Sequence, residues 1–364
     1  MNRYTYYLIT VTMITNTVST VPNILLNNTK NGAIFSMVIG GIVGLLMIYI
    51  SMLFFNHFPG QGLPELMKEY TPKWFHYPIL IYFVIMWYLA GTLTLVTFTF
   101  MLVTFLSPEM TILTMITPFL IIISYGVLMK TKNVLYSTEI IFLLIFPIIL
   151  YSYIKAYGSS TLNWDYVKLA VMHANKLPTY DVVTASAFIF TGVVNLAIFN
   201  RYFLRKEVFG AKQVVIIGLT SFFILFTTYF IPIGFGGFEN VDNLLYPWIS
   251  TTDSIRIKFG LIERLVFMFM FYFVSIAILS MIIHWHVAAQ LLESVVYFKN
   301  LKWKETNLTP HIIGLCFTLV AIVLSLQMTE HQLFEFARFI YNIVPIFFFV
   351  FLFTMWLIKR GATK

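Results

Sequence analysis

The feature that most constrains this chain is the regular recurrence of long apolar runs separated by short polar connections. A helix needs about 20 apolar residues to cross the hydrocarbon of a bilayer. Runs of that kind lie near residues 6–26, 33–55, 75–105, 111–129, 134–154, 185–203, 214–231, 259–283, 311–328 and 334–358, with the eighth open to an earlier start and to continuation as an amphipathic segment through Glu293. Only 10% of the residues are charged and 59% are hydrophobic, whereas a soluble globular domain carries about 25% charged residues. The sequence therefore predicts an all-α membrane protein of about ten transmembrane helices, forming one domain over residues 1–364.

Lysine and arginine set the orientation of such a chain. With the N-terminus in the cytoplasm, 15 basic residues fall on the cytoplasmic side and 6 on the other. Both termini are then inside, which an even number of spans requires. The basic excess of the composition, a formal charge of +8, is absorbed by these loops. No DNA- or RNA-binding motif accompanies it, so no nucleic-acid partner is expected. The first apolar run lacks a strongly basic leader and a small-residue cleavage site, and reads as a span that stays rather than a signal peptide. Two longer outer connections, about 157–184 and 232–254, are the expected places for short interfacial helices. Cys316 lies in an apolar run and reads as a small core residue.

The first span carries the most chemistry. Thr10, Thr12, Thr15, Asn16, Thr17, Ser19 and Thr20 crowd an otherwise apolar stretch that ends at Pro22. Proline has no N–H and clashes with the preceding turn, so it frees carbonyls near Val18. In lipid those groups need partners. Two readings follow: a helix broken at Thr15–Pro22 beside a cavity, or a proline kink packed between neighbours with its hydroxyls bonded to their own backbone. The sixth span has a comparable interruption, with Thr191, Gly192 and Asn195 inside an apolar run. Glycine there lets a ligand or another helix come close. Ten spans interrupted in the first and sixth suit two inverted halves of five, about 6–155 and 185–358, with a substrate site between the two broken spans. Gly40 and Gly44 of the second span form a small-residue face suited to close helix packing.

Other chemistry is sparse. No run has an acid at its centre, which leaves no carboxylate for a mid-membrane proton relay. Glu139 sits one turn into the fifth span, Glu263 and Arg264 open the eighth near the outer surface, and Glu335 and Arg338 are spaced for an i,i+3 pair. His284 and His286 are two residues apart and do not share a helix face, so they read as residues at the interfacial end of a span rather than metal ligands. No phosphate-binding loop, nucleophile elbow or zinc spacing is present. The sequence predicts no metal, no cofactor and no enzyme.

The segment Asn56-His57-Phe58-Pro59-Gly60-Gln61-Gly62-Leu63-Pro64-Glu65 resembles the "RFPGKTL-E" loop of the spore germinant receptor B-subunits, the endospore germination permeases of the amino acid/polyamine/organocation transporter superfamily. Phe58, Pro59, Gly60, Leu63 and Glu65 carry the match. The first span ending at Pro22, the segment Lys30-Asn31-Gly32-Ala33, the glycine-rich second span and Glu263-Arg264 before the eighth also fit. The chain departs from the family where Thr15 and Asn16 stand in place of a common Gly-Thr pair. The resemblance implies a LeuT-like 5+5 fold with helices 1 and 6 broken, a place in the spore inner membrane, and a complex with A-type and C-type receptor subunits. It also implies binding of a small germinant, an amino acid or nucleoside, that triggers germination. An active amino-acid or cation-coupled transporter, and a water or ion channel within the same complex, are the rival functions.

The expected pocket lies between the broken parts of the first and sixth spans, walled by the third and eighth. Thr15, Asn16, Thr17, Ser19 and Thr20 would face Thr191, Gly192 and Asn195, with Tyr82, Tyr88, Tyr272 and Ser275 as further candidates and Pro22 as the structural break. A ligand carboxylate would meet backbone N–H groups at half-helix starts.

Overall fold

The computed structural model describes residues 2–206, 208–257, 262–296, 302–303 and 306–363. Its helices are α1 (Arg3–Val18), α2 (Val21–Leu26), α3 (Ala33–His57), α4 (Leu63–Tyr70), α5 (Lys73–Phe105), α6 (Ile112–Leu128), α7 (Thr131–Tyr157) and α8 (Trp164–Met172), then α9 (Tyr180–Phe188). A 3₁₀ segment, Ile189–Asn195, joins α9 to α10 (Leu196–Phe199). The chain continues through α11 (Ala211–Gly236), α12 (Pro247–Asp253), α13 (Leu265–Val295), α14 (Thr309–Gln327) and α15 (Glu330–Ala362). Lys302–Trp303 and Thr306–Asn307 form a small antiparallel ladder between α13 and α14.

Eight of these segments are long and apolar enough to cross a membrane: α3, α5, α7, the Tyr180–Tyr202 run, α11, α13, α14 and α15. The helix α6 is apolar but shorter, at 17 residues. The first run is divided into α1 and α2. The chain is thus a multi-pass helical membrane protein. The two longer connections contain the short helices α8 and α12.

Burial identifies the middle of the bundle. In Tyr180–Tyr202, 94% of the most apolar window is buried, against 33% in α7 and α14. A helix apolar on all sides belongs inside, while one with an exposed apolar face meets lipid. The sixth run is therefore a central post. α1 packs on its 3₁₀ segment, α3 on α9, and α15 on α9, while α13 packs along α5. The Gly40 and Gly44 face makes the α3 contact: a Cβ on Gly40 would reach the Ser186 side chain at 2.7 Å, and one on Gly44 would overlap the Phe190 ring.

Several expectations change. The eighth helix runs from Leu265 to Val295, so of the two ends open to it the longer one holds, because apolar and small residues continue for three more turns beyond Ile283. His284 and His286 are consequently buried inside it, not interfacial. The expected start at Phe259 lies outside the described residues, as do Lys258, Lys299, Lys304 and Lys364 of the charge count. Arg338 pairs with Asp181 of α9 at 3.6 Å, while Glu335 pairs with His331, so the Glu335–Arg338 pair does not form. Cys316 is exposed on the outer side of α14 and is no core residue. Glu139 pairs with Arg3 at 3.1 Å, joining α7 to the start of α1.

Candidate functional site

The two interruptions are built differently. In α1, threonine hydroxyls return to the carbonyl four residues earlier: Thr12 donates to Leu8 (3.0 Å), Thr15 to Val11 (2.9 Å) and Thr17 to Met13 (3.0 Å). Such back-bonding competes with the regular ladder. Pro22 then removes the N–H that would reach Val18. The α-helix stops at Val18, Ser19 turns out of helical geometry with ψ −123°, and α2 restarts with Pro22 in its first turn. The Thr17 carbonyl accepts from Thr228 of α11 at 3.2 Å, and Thr228 in turn accepts from Trp248 Nε1 of α12 at 3.2 Å. The Thr20 hydroxyl bonds to the Tyr341 hydroxyl of α15. Neighbouring helices thus close the first break. Asn16 is also buried, and its Nδ2 has no hydrogen-bond partner among the described residues.

In the sixth run the helix tightens without a proline. Over Ile189–Asn195 it is a 3₁₀ helix, and side chains bond three residues back: Thr191 to the Phe188 carbonyl (2.7 Å) and Asn195 Nδ2 to the Gly192 carbonyl (3.2 Å). Asn195 Oδ1 accepts from Trp87 Nε1 of α5 at 2.7 Å. Gly192 is the point of closest approach to α1: a Cβ there would stand 2.7 Å from both the Ile9 Cα and the Leu8 carbonyl oxygen. Of the two roles open to this glycine, the geometry supports close approach of another helix. A 3₁₀ stretch inside a helix commonly marks a hinge or a functional site.

Beside this tightened stretch lies a small cavity of about 30 Å³. Thr191, Phe188 and Val194 of the sixth run line it, with Trp87 of α5, His284 of α13 and Phe347 of α15 among the facing residues. Its size suits a water or two, so a larger guest enters only if the lining side chains move apart. His284 is its distinctive member. The imidazole Nδ1 lies 2.7 Å from the Ser280 carbonyl oxygen. A carbonyl can only accept, so Nδ1 carries the hydrogen, and Nε2 of the neutral ring is left as an acceptor. Thr191 spends its proton on Phe188 and offers lone pairs. The Trp87 N–H is used by Asn195. The cavity wall therefore offers acceptors and aromatic faces, with no charged side chain.

The other expected site residues are dispersed. Tyr88 donates to the Phe317 carbonyl at 2.8 Å and packs on Trp285 and Phe317. Tyr82 is half-buried and its hydroxyl has no partner. Tyr272 packs edge-on against Phe269. Ser275 bonds to the Phe271 carbonyl of its own helix at 2.9 Å. The structure brings Thr191, Gly192 and Asn195 together on one tightened turn; of the expected residues Thr191 lines the cavity, while Thr15, Asn16, Thr17, Ser19 and Thr20 do not. Sequence reasoning missed His284, Trp87 and Phe347. For His284 the signal was present: reading the continuation through the small residues Ala288 and Ala289 as buried helix rather than as an amphipathic segment places the imidazole inside the bundle. His286 turns away from the cavity and bonds to Thr131 Oγ1 at 2.8 Å. Among the described residues no group of three or more metal-ligating side chains occurs.

The far end of the sixth run is clasped by the loop after α3. Asn200 Nδ2 donates to the Phe58 (2.8 Å) and Gln61 (2.7 Å) carbonyls, and Gly60 N–H donates to the Phe203 carbonyl at 2.9 Å. Arg201 grips Glu65 with two bonds, of 3.1 and 2.7 Å, and reaches Gln290 of α13 at 3.0 Å. Gly60 takes φ +79°, which a side chain would disfavour. This is the Phe58–Glu65 segment whose sequence is the most distinctive in the chain.

The chain is thus a multi-pass helical bundle with a small cavity against one interrupted, buried span. Residues 2–333 match the family of spore germination proteins known as spore permeases, and the chain belongs to that family. No curated protein matches the chain significantly.

Proposed function

We propose that this chain is the germinant-sensing membrane subunit of a spore germination receptor, and that a small nutrient binds in the cavity beside the 3₁₀ segment of the sixth span. The observation that carries the reading is the juxtaposition of that segment with an aromatic cavity and an unpaired imidazole nitrogen, His284 Nε2. Membership of a spore germination family supports the setting. The wall chemistry favours a ligand that brings a hydrogen-bond donor, such as the ammonium of an amino acid or the exocyclic amine of a nucleoside. A carboxylate would have to reach backbone N–H groups of the sixth run, since the named side chains offer it no donor.

In this reading the chain is a single ten-span LeuT-like unit. The α1–α2 run and α6 supply the two crossings beyond the eight long apolar segments, and the halves are about 6–155 and 185–358. It sits in the spore inner membrane with both termini in the cytoplasm, beside A-type and C-type subunits. Binding acts by favouring one arrangement of the sixth span over another, since a ligand shifts an equilibrium only through differential affinity. The protein does no catalysis and needs no metal or cofactor.

The test is deletion of the gene followed by germination assays across amino acids and nucleosides. Loss of response to at least one of them is expected; an unaltered response to all would overturn the proposal. Saturable uptake of that same solute into proteoliposomes by the chain alone would mark a transporter instead.

A further inference from the structure

The helices α3 and α15 leave an open groove where both reach the membrane boundary. Its volume is about 410 Å³. Its walls are apolar, from Leu53 and Phe54 on one helix and Met355 and Trp356 on the other. Leu53 is 46% and Trp356 52% exposed, so the apolar wall faces outward rather than into the bundle. One end of the groove is polar and basic. His57 closes α3 and lines it, as does Lys359 in the last turn of α15. The Arg360 guanidinium lies over the Trp356 ring at 5.5 Å. Among the described residues neither Lys359 nor Arg360 forms an ion pair with a carboxylate.

Both helices run toward this end, so their polar residues gather at one level while the apolar wall descends from it. Leu46 and Phe349, 54% and 70% exposed, continue the apolar surface toward the membrane interior. A basic head above an apolar channel is the complement of an anionic phospholipid. We propose that this groove holds one such lipid, its acyl chain lying between α3 and α15 and its phosphate at His57, Lys359 and Arg360. Charge decides between occupants. A zwitterionic lipid or an apolar helix from another subunit would fill the channel but leave the two cations unmatched. Basic groups at the boundary attract anionic headgroups by about fivefold in affinity per charge.

Native mass spectrometry of the whole detergent-purified chain, titrated with dioleoyl phosphatidylglycerol or dioleoyl phosphatidylcholine, tests this. One phosphatidylglycerol adduct is expected to saturate well before any phosphatidylcholine adduct. Lys359→Gln with Arg360→Gln lies on the exposed surface and should weaken the phosphatidylglycerol adduct about twenty-five-fold, from two charges of about fivefold each, leaving phosphatidylcholine unchanged. Leu53→Trp, which fills the channel, should weaken binding of both lipids. Equal binding of the two lipids by the parent protein, or a phosphatidylglycerol adduct indifferent to the loss of both cations, overturns the proposal.

Discussion

The first and sixth spans both lose regular winding, and they do so to opposite ends. The break between α1 and α2 is sealed: its threonines bond to their own carbonyls, Thr228 takes the Thr17 carbonyl, and Tyr341 takes Thr20. The sixth span is tightened into 3₁₀ geometry and keeps space beside it, where Thr191 and His284 present unused acceptors. A proline break in lipid exposes carbonyls that must be answered at once by neighbours. A 3₁₀ turn keeps its backbone bonded and changes only the pitch, so it can border a cavity without stranding polar groups. The first break supports the fold, and the second shapes a site.

That contrast can be broken most severely at the contact joining the two spans. Gly192→Val should force α1 off the sixth run, destabilising the protein by about 3 kcal/mol, the upper range for an overpacked core; a thermal melt in detergent reads this, and an unchanged melt would mean the two spans are not in contact. Next is the seal. Tyr341→Phe strands the buried Thr20 hydroxyl and should cost about 1–3 kcal/mol. A double-mutant cycle with Thr20→Val should show coupling, and strict additivity would argue against the bond. Asn195→Leu leaves the Trp87 N–H unpaired at a similar cost of about 1–3 kcal/mol, detectable as altered tryptophan fluorescence and a lower melting point. The smallest effect is expected at the clasp. Glu65→Gln removes a half-exposed ion pair worth about 0.2–1 kcal/mol, so a loss far beyond that would show the loop to be a larger determinant of the sixth span than its exposure implies.

The apolar runs were legible because spanning length is set by the bilayer and hardly by context. The first interruption was legible too, since proline and a cluster of hydroxyls coincide there. Proline alone would have misled: Pro118, Pro147, Pro232 and Pro345 all lie inside continuous helices. Only Pro22 is preceded by Thr17, Ser19 and Thr20 in the turn where the ladder is lost. What the hydroxyls do was not legible, because whether they line a cavity or bond to their own carbonyls depends on the packing of α11 and α15, far away in sequence. His284 was misread for a local reason: the continuation of the eighth span past Ile283 reads as amphipathic in sequence but is buried helix in the structure. The acceptor role of its Nε2 depends on a hydrogen bond from Nδ1 to Ser280, one turn back, which becomes readable only once both residues are placed on one helix.

The central claim is that the cavity beside the sixth span receives the germinant through His284 Nε2. It is tested by germination of spores carrying His284→Leu or His284→Gln, using the nutrient to which the parent spores respond. The glutamine carbonyl can stand where Nε2 accepts, so His284→Gln is expected to keep a response that His284→Leu loses, with both proteins present in the membrane at parental levels. A parental response from His284→Leu spores would contradict the account.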